Sequence, residues 1–328
     1  MAKFGIIGGG AWGLAVAMKC VESGHNVSVW AHSESSVKSI SIEKSSNRLP
    51  GIVLPELKAS QSLSEVCDRA DTIVVALASQ HIQAVLGQLV LSPSQSIILL
   101  SKGLLEREKS PFISDYVRSL FPKNPIMSLS GPNIAIEIAE GKPAASVIAG
   151  DNMALVKKVQ GQLSSKNFRL YGSSDLRGVE CGGIFKNVIA IAAGLCDGLE
   201  CGDNAKAALM TRGLGEMQKV STFFNGSVET LTGLSGMGDM MTTCLSVSSR
   251  NRSYGELLGR GDQSQIDAFT REKTVEGART VTLLAEIYPD LLRQCPIMTI
   301  VHEVVIGNVS PKGAITQLMT RDLISEDD

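Results

Sequence analysis

Aromatic residues make up only 4% of this 328-residue chain, and its four histidines are dispersed at positions 25, 32, 81 and 302. So scattered a set offers no ligand cluster for a metal centre, which leaves any redox chemistry to an organic cofactor. Charge of neither sign predominates: 31 basic residues against 33 acidic ones give a net charge of -2. That balance supplies no broad electrostatic attraction for nucleic acid or an anionic membrane. The seven cysteines, at 20, 67, 181, 196, 201, 244 and 295, include no C-x-x-C pair. They read as small buried hydrophobes in a reducing compartment, and a cytoplasmic location is expected. No run approaches the roughly 20 apolar residues that cross a bilayer, and the first strand begins too early to leave room for a signal peptide. Membrane insertion is therefore not expected.

What the chain does have is glycine, 32 residues of it, and apolar side chains, 44% of the total against 20% charged. These are the proportions of a globular protein with a substantial core, and the length accommodates two domains. The glycines say most at the start. Lys3 to Ile7 is a short apolar strand that runs into Gly8-Gly9-Gly10-Ala11-Trp12-Gly13 and then into a helix. In such a G-x-G-x-x-G turn the first glycine permits the sharp bend, the second lets backbone approach a pyrophosphate, and the third lets helix and strand pack closely. The amides opening the helix face the anion, with the helix dipole in the favourable sense. A second strand, Asn26 to Trp30, follows after Ser23-Gly24. This order of strand, turn, helix and strand predicts dinucleotide binding rather than a mere packing turn.

Beyond Trp30, a stretch from Arg48 to Pro55 carries prolines and glycine that interrupt regular structure. Strand-like runs are predicted at Asp71 to Ala76, Ser96 to Leu100, Ile126 to Leu129, Ala145 to Ala149 and Phe168 to Tyr171, with helices at Gln80 to Leu89 and Ser110 to Leu120. Continuous apolar strands alternating with helices predict an α/β fold, a doubly wound Rossmann-type parallel sheet covered on both faces. From about Leu176 onward the pattern is helical, with segments at Cys181 to Leu195, Lys206 to Phe223, Val275 to Ile287 and Ile297 to Val305. The expected division is a dinucleotide-binding domain over 1–176 and an all-helical substrate domain over 177–328. The acidic end, Ser325 to Asp328, is expected to fray.

Three groups of residues offer chemistry. The segment from Cys181 to Leu195 is apolar on almost every side yet carries Lys186 followed by Asn187. A buried ammonium needs water or an anion. Lys186 is thus either a snorkelling lysine or one that lines a cleft, ready to polarise a carbonyl and exchange a proton with it. Asp239 could orient or balance that ammonium, and Arg250 with Asn251 could hold a phosphate through a guanidinium fork and amide donors. Alone, that run is also readable as a polar loop before a helix. Lys102 directly follows a predicted strand, at the strand end where open parallel sheets collect ligands. Away from such a place it would be an ordinary surface lysine.

The chain resembles the NAD(P)-dependent glycerol-3-phosphate dehydrogenases of bacteria. The likeness runs through Gly8 to Gly13, Ser101-Lys102-Gly103, Ser130-Gly131-Pro132, Phe185-Lys186-Asn187, Gly202 to Leu209, Gly236 to Asp239, Ser249 to Arg252 and Val275-Glu276-Gly277. The order and spacing of these motifs together are specific. The resemblance implies a 6-phosphogluconate-dehydrogenase-like architecture, reduction of dihydroxyacetone phosphate to sn-glycerol 3-phosphate for glycerophospholipid synthesis, NADPH or NADH as cofactor, and a homodimer. Carried over by position, it implies Lys186 as the general acid and base. Lys102, Gly131, Asn133, Lys186, Asn187, Asp239, Ser249, Arg250 and Asn251 would form the substrate site. Gly8, Gly10, Ala11, Trp12 and Gly13 would hold the dinucleotide, with His32, Lys102, Ala135, Arg250, Val275 and Glu276 around it. One departure is Asn133, where the family usually has a small hydroxyl residue.

A beta-hydroxyacid dehydrogenase is the nearest alternative, but its catalytic lysine is followed by asparagine four positions later, where this chain has Ala190. A nucleotide sensor without chemistry is the other, and it would have no need of Lys186, Asn187, Asp239 and Arg250. For the cofactor, strict NAD enzymes place an acid at the end of the second strand; here Trp30 is followed by Ala31, His32 and Ser33, with no acid until Glu34. No carboxylate there repels a ribose phosphate, and His32 with Ser33 could donate to it. Use of NADPH is expected, with NADH possible beside it.

Overall fold

The computed structural model describes residues 1–107, 110–322 and 325, so the rest of the acidic end expected to fray lies outside the described residues. Eight strands, β1 (Lys3–Ile7), β2 (Asn26–Trp30), β3 (Lys58–Ser60), β4 (Thr72–Val75), β5 (Ser96–Leu99), β6 (Ile126–Ser130), β7 (Ala144–Gly150) and β8 (Phe168–Ser173), form one sheet. Their order is β3-β2-β1-β4-β5-β6-β7-β8. Its first six strands follow the doubly wound order, in which the chain reverses direction across the sheet between β1 and β4 and opens a crevice at their carboxyl ends. Side chains alternate along each strand, so Phe4, Ile6, Val74 and Ile98 pack on one face while Ile7, Ile73, Val75 and Ile97 pack on the other. Helices cover both faces, which is why β4 and β5 are buried throughout.

The sheet departs from the all-parallel expectation at one place: β6 and β7 are antiparallel, pairing Met127 with Gly150 and Ser130 with Val147. The helix between them, Ala135–Ala139, has five residues. At a rise of about 1.5 Å per residue it cannot carry the chain back along the strands, so β7 returns from the end where β6 finished. β3 was not foreseen, since Lys58-Ala59-Ser60 is short and lacks an apolar run; it exists because β2 offers it an edge, pairing Ser28 with Lys58. The helix expected from Gln80 narrows to a 3-10 turn, Ser79–His81, and the helix Ile82–Leu86.

The helical half is built around one helix, Leu176–Gly198, in which every residue from Gly178 to Cys196 is buried. This corrects the expectation that no segment is long and apolar enough to span a bilayer: by length and hydropathy this helix is, but its apolar window lies wholly inside the fold. Phe185, Val188 and Ile189 sit in the core with Met217, Val281 and Met298, each contributing about 1.5–3 kcal/mol by leaving water. The helix Arg250–Arg260 crosses it with backbones almost touching. A Cβ on Gly194 would fall 2.0 Å from Arg252 O, and one on Gly255 would fall 2.0 Å from Ile191 O. Toward the sheet half, the buried Glu180 carboxylate accepts the Ser114 N–H at 3.2 Å and its hydroxyl at 2.5 Å. The helix that carries Lys186 is thereby fastened to both of its neighbours.

Candidate active site

At the end of β1, Gly8 takes φ +125°, and a Cβ there would meet Ala76 O at 2.5 Å. Only glycine fits, because β4 ends beside it at the crevice. Gly13 lets the helix Ala11–Glu22 lie on this turn, its Cβ position being 2.2 Å from Gly8 O. Gly10 is different: none of the described residues lies within 4 Å of a Cβ built on it, and it precedes the helix with no side-chain cap. The helix has no acidic residue in its first turn, so its free amides face an open cradle of a kind that suits a pyrophosphate. Trp12 Nε1 is buried there without a partner among the described residues. These features fit a dinucleotide.

Elsewhere, three side chains from separate elements meet. Lys186 comes from the central helix, Asp239 opens the helix Asp239–Leu245, and Lys102 follows β5. Asp239 is 2% exposed; its Oδ2 accepts Lys102 Nζ at 2.6 Å, and its Oδ1 accepts a hydrogen bond from Lys186. Ser130 Oγ, at the end of β6, reaches the same Oδ2 at 3.4 Å. Thr243 stands one turn beyond Asp239, accepting from Lys186 Nζ at 2.7 Å while donating to Asp239 O at 2.6 Å. Burial pushes the Lys186 ammonium down to about 8, with Asp239 opposing that fall and Lys102 adding to it. Two cations thus share one carboxylate, leaving a local excess of positive charge that suits a developing alkoxide or a phosphate.

Asn187 and Asn251 also come together. Asn251 Nδ2 donates to Asn187 Oδ1 at 2.8 Å, and its Oδ1 accepts the Gly277 N–H at 2.9 Å. Part of the amide set expected to face a phosphate is therefore spent on joining three helices. Arg250 is exposed and makes no ion pair among the described residues, so its fork is open to a ligand. Ser249 Oγ caps the helix that follows, accepting from Arg252 N at 3.2 Å. Glu276 Oε1 and Oε2 accept from Ser79 N at 3.1 Å and Ser79 Oγ at 2.7 Å, and Oε2 lies against Gly103. Val275 is buried just before it.

Gly131 is buried with φ +153°, and Asn133 Nδ2 donates to Ser146 Oγ at 2.6 Å while its Oδ1 is buried without a partner among the described residues. Ala135 starts the short helix after β6. His32 is exposed at the end of β2, its ring edge-on to Trp30. Ser33, paired with it in the sequence reading, is otherwise engaged: its hydroxyl accepts Ser36 N at 3.2 Å and donates to Ser36 Oγ at 2.9 Å. Sequence reasoning missed Thr243 and the contact made by Ser130. Thr243 was findable, since a residue four places after Asp239 shares its helix face.

Residues 3–156 match the family model of the NAD-dependent glycerol-3-phosphate dehydrogenase N-terminus, and residues 175–316 match that of its C-terminus. The chain belongs to the NAD-dependent glycerol-3-phosphate dehydrogenase family. It is 41% identical over 323 residues to the glycerol-3-phosphate dehydrogenase [NAD(P)+] of a Synechococcus species, covering 98% of this chain and 95% of that one. The Gloeobacter violaceus enzyme of the same name is 38% identical, with 99% of each chain covered. Among solved structures, the glycerol-3-phosphate dehydrogenase of Coxiella burnetii superposes with a TM-score of 0.92 at 31% identity, over 98% of this chain and 99% of that one. Membership of this family decides between the enzyme readings left open by Lys186 and Asn187, against the beta-hydroxyacid dehydrogenases.

Proposed function

We propose that Lys186 is the general acid and base of this enzyme, that Lys102 and Arg250 take the substrate, and that Asp239 orients both lysines. The reaction is the reversible, NAD(P)H-dependent reduction of dihydroxyacetone phosphate to sn-glycerol 3-phosphate, which feeds lipid metabolism. The shared Asp239 carboxylate carries the assignment of roles: it brings Lys102 and Lys186 to one point at the carboxyl end of the sheet.

A reduced nicotinamide, when bound, supplies the hydride that reaches the ketone carbon. Lys186 gives its proton to the carbonyl oxygen as negative charge develops there, and the Lys102 ammonium offsets that charge. In the oxidative direction the neutral Lys186 amine takes the hydroxyl proton. With Lys186 at about 8, both forms are accessible near neutral pH. Thr243 holds Nζ on line. Arg250 grips the phosphate, Ser249, Asn187 and Asn251 support it, and Gly131 with Asn133 closes the side toward β6. Gly8, Gly10, Ala11, Trp12 and Gly13 cradle the dinucleotide, with His32, Ala135, Val275 and Glu276 beside it. The glycine cradle of the cofactor belongs to a domain over 1–176, and the acid and phosphate ligands to a domain over 177–328, which also lends Val275 and Glu276 to the cofactor.

A homodimer in the cytoplasm accompanies this reading; buried thiols suit a reducing compartment, and dimers are usual in the family that the sequence resembles. The test follows NADPH oxidation with dihydroxyacetone phosphate and, separately, with a plain beta-keto acid. Turnover of the phosphate ketone alone is expected. Turnover confined to the keto acid would overturn the substrate assignment.

A further inference from the structure

Of the seven cysteines, six are buried and Cys201 is half-buried, which corrects the expectation that all are core residues. Cys201 lies in the turn that ends the central helix. Leu199 is the last helical cap, and Glu200 after it adopts φ +55°. Cys201 N–H donates to Cys196 O at 3.0 Å and Glu200 N–H donates to Asp197 O at 3.1 Å. This pair of hydrogen bonds around one left-handed residue is a Schellman motif, whose geometry turns the side chains at its two ends toward each other. Those ends are Cys196 and Cys201. Burial raises the Cys196 thiol to about 12, and neighbouring Cys201 adds to the rise.

Between the two cysteines sits Asp197, whose carboxylate holds Lys206 Nζ at 2.8 Å and Arg252 at 2.7 Å. Arg252 is on the helix that also carries Arg250 and Asn251. The turn therefore joins the end of the catalytic helix to the phosphate side of the cleft.

We infer that Cys196 and Cys201 form a reversible intramolecular disulfide, a redox modification site fixing this turn. The oxidant is a small-molecule disulfide, RSSR. The accessible Cys201 thiolate attacks one of its sulfurs, the RS–SR bond breaks, and the first RS⁻ leaves and takes up the Cys201 proton. Cys196 sulfur then attacks the mixed disulfide, its proton passing to the second leaving RS⁻. The two cysteines lose two electrons together, and RSSR becomes two RSH.

Trypsin is well suited to the test, because no Lys or Arg lies between Lys186 and Lys206 and both cysteines fall in the peptide 187–206. The native protein is equilibrated with mixtures of reduced and oxidised glutathione, quenched in acid, unfolded and alkylated. In oxidising mixtures the peptide should carry no alkyl group, be lighter by two hydrogens than the reduced one, and stay linked after cleavage following Glu200. Dithiothreitol should restore alkylation of both cysteines, and Cys201→Ser should leave Cys196 alkylatable throughout. Alkylation of both cysteines in the oxidising mixtures, or a lasting glutathione adduct on Cys201 beside a free Cys196, would overturn the inference.

Discussion

Lys102 and Asp239, 137 positions apart in the chain, are joined at 2.6 Å across the boundary between the sheet and the helices. That contact places a sheet-borne cation on the carboxylate that also holds Lys186. The protonation of Lys186 then depends on both: Asp239 favours the ammonium and Lys102 disfavours it.

A pH dependence follows directly. With Lys186 as the proposed acid, reduction requires its protonated form, so kcat/KM for dihydroxyacetone phosphate should fall as pH rises through about 8, while oxidation of glycerol 3-phosphate should rise through the same value. Asp239→Asn should move both limbs to lower pH, and Lys102→Met should move them higher. Limbs that stay in place in both variants would show that another group titrates.

Arg250→Ala should raise KM for the phosphate substrate. Loss of a charged hydrogen bond costs about 1.5–3 kcal/mol, which corresponds to roughly 10- to 150-fold. Steady-state kinetics separates this from a fall in kcat, which would report lost positioning. Unchanged KM would remove Arg250 from the phosphate site.

The cofactor prediction rests on the end of β2, where the exposed His32 stands with no acid until Glu34. We expect NADPH to be used at least as well as NADH. His32→Asp should shift the ratio of kcat/KM values toward NADH by placing a carboxylate against the ribose phosphate. A wild-type enzyme strict for NADH would contradict this.

Glu216 makes a stability prediction. It is buried, it accepts the Ile297 N–H at 2.6 Å and the Met298 N–H at 2.9 Å at the start of the helix Pro296–Val305, and burial lifts its carboxyl from 4.5 to about 7. The folded state therefore binds a proton more tightly than the unfolded one. Its contribution is complete below pH 4.5 and is lost as pH rises through about 7, at most on the order of 3 kcal/mol. Urea titrations between pH 4.5 and 8 should show a smaller decline in Glu216→Gln than in wild type; parallel declines would rule out this group as the cause.

The glycine turn was legible because strand, bend and helix are consecutive and each leaves a local mark in Lys3 to Ala17. Strands β4 and β5 were legible as unbroken apolar runs. The direction of β7 was not, since Ala144–Gly150 carries the same apolar pattern whichever way it runs and only the short preceding helix decides. Lys186 and Asp239 stood out as charges in apolar or glycine-rich surroundings. The pairing of Asn187 with Asn251 did not, because it depends on glycine contacts such as that of Gly255 with Ile191, which no local pattern reports. Ser33 also has a role that the sequence reading did not name, since its position after β2 makes it the cap of the helix Glu34–Ser41.

The assignment of Lys186 as the proton donor is tested most directly by single-turnover reduction of dihydroxyacetone phosphate in Lys186→Ala, with NADPH binding measured on the same preparation. Hydride transfer should slow by about 10²–10⁴-fold while NADPH binds as in wild type, since the glycine turn follows β1 and is not on the central helix. Transfer at near the wild-type rate would contradict the assignment and point to Lys102 as the acid.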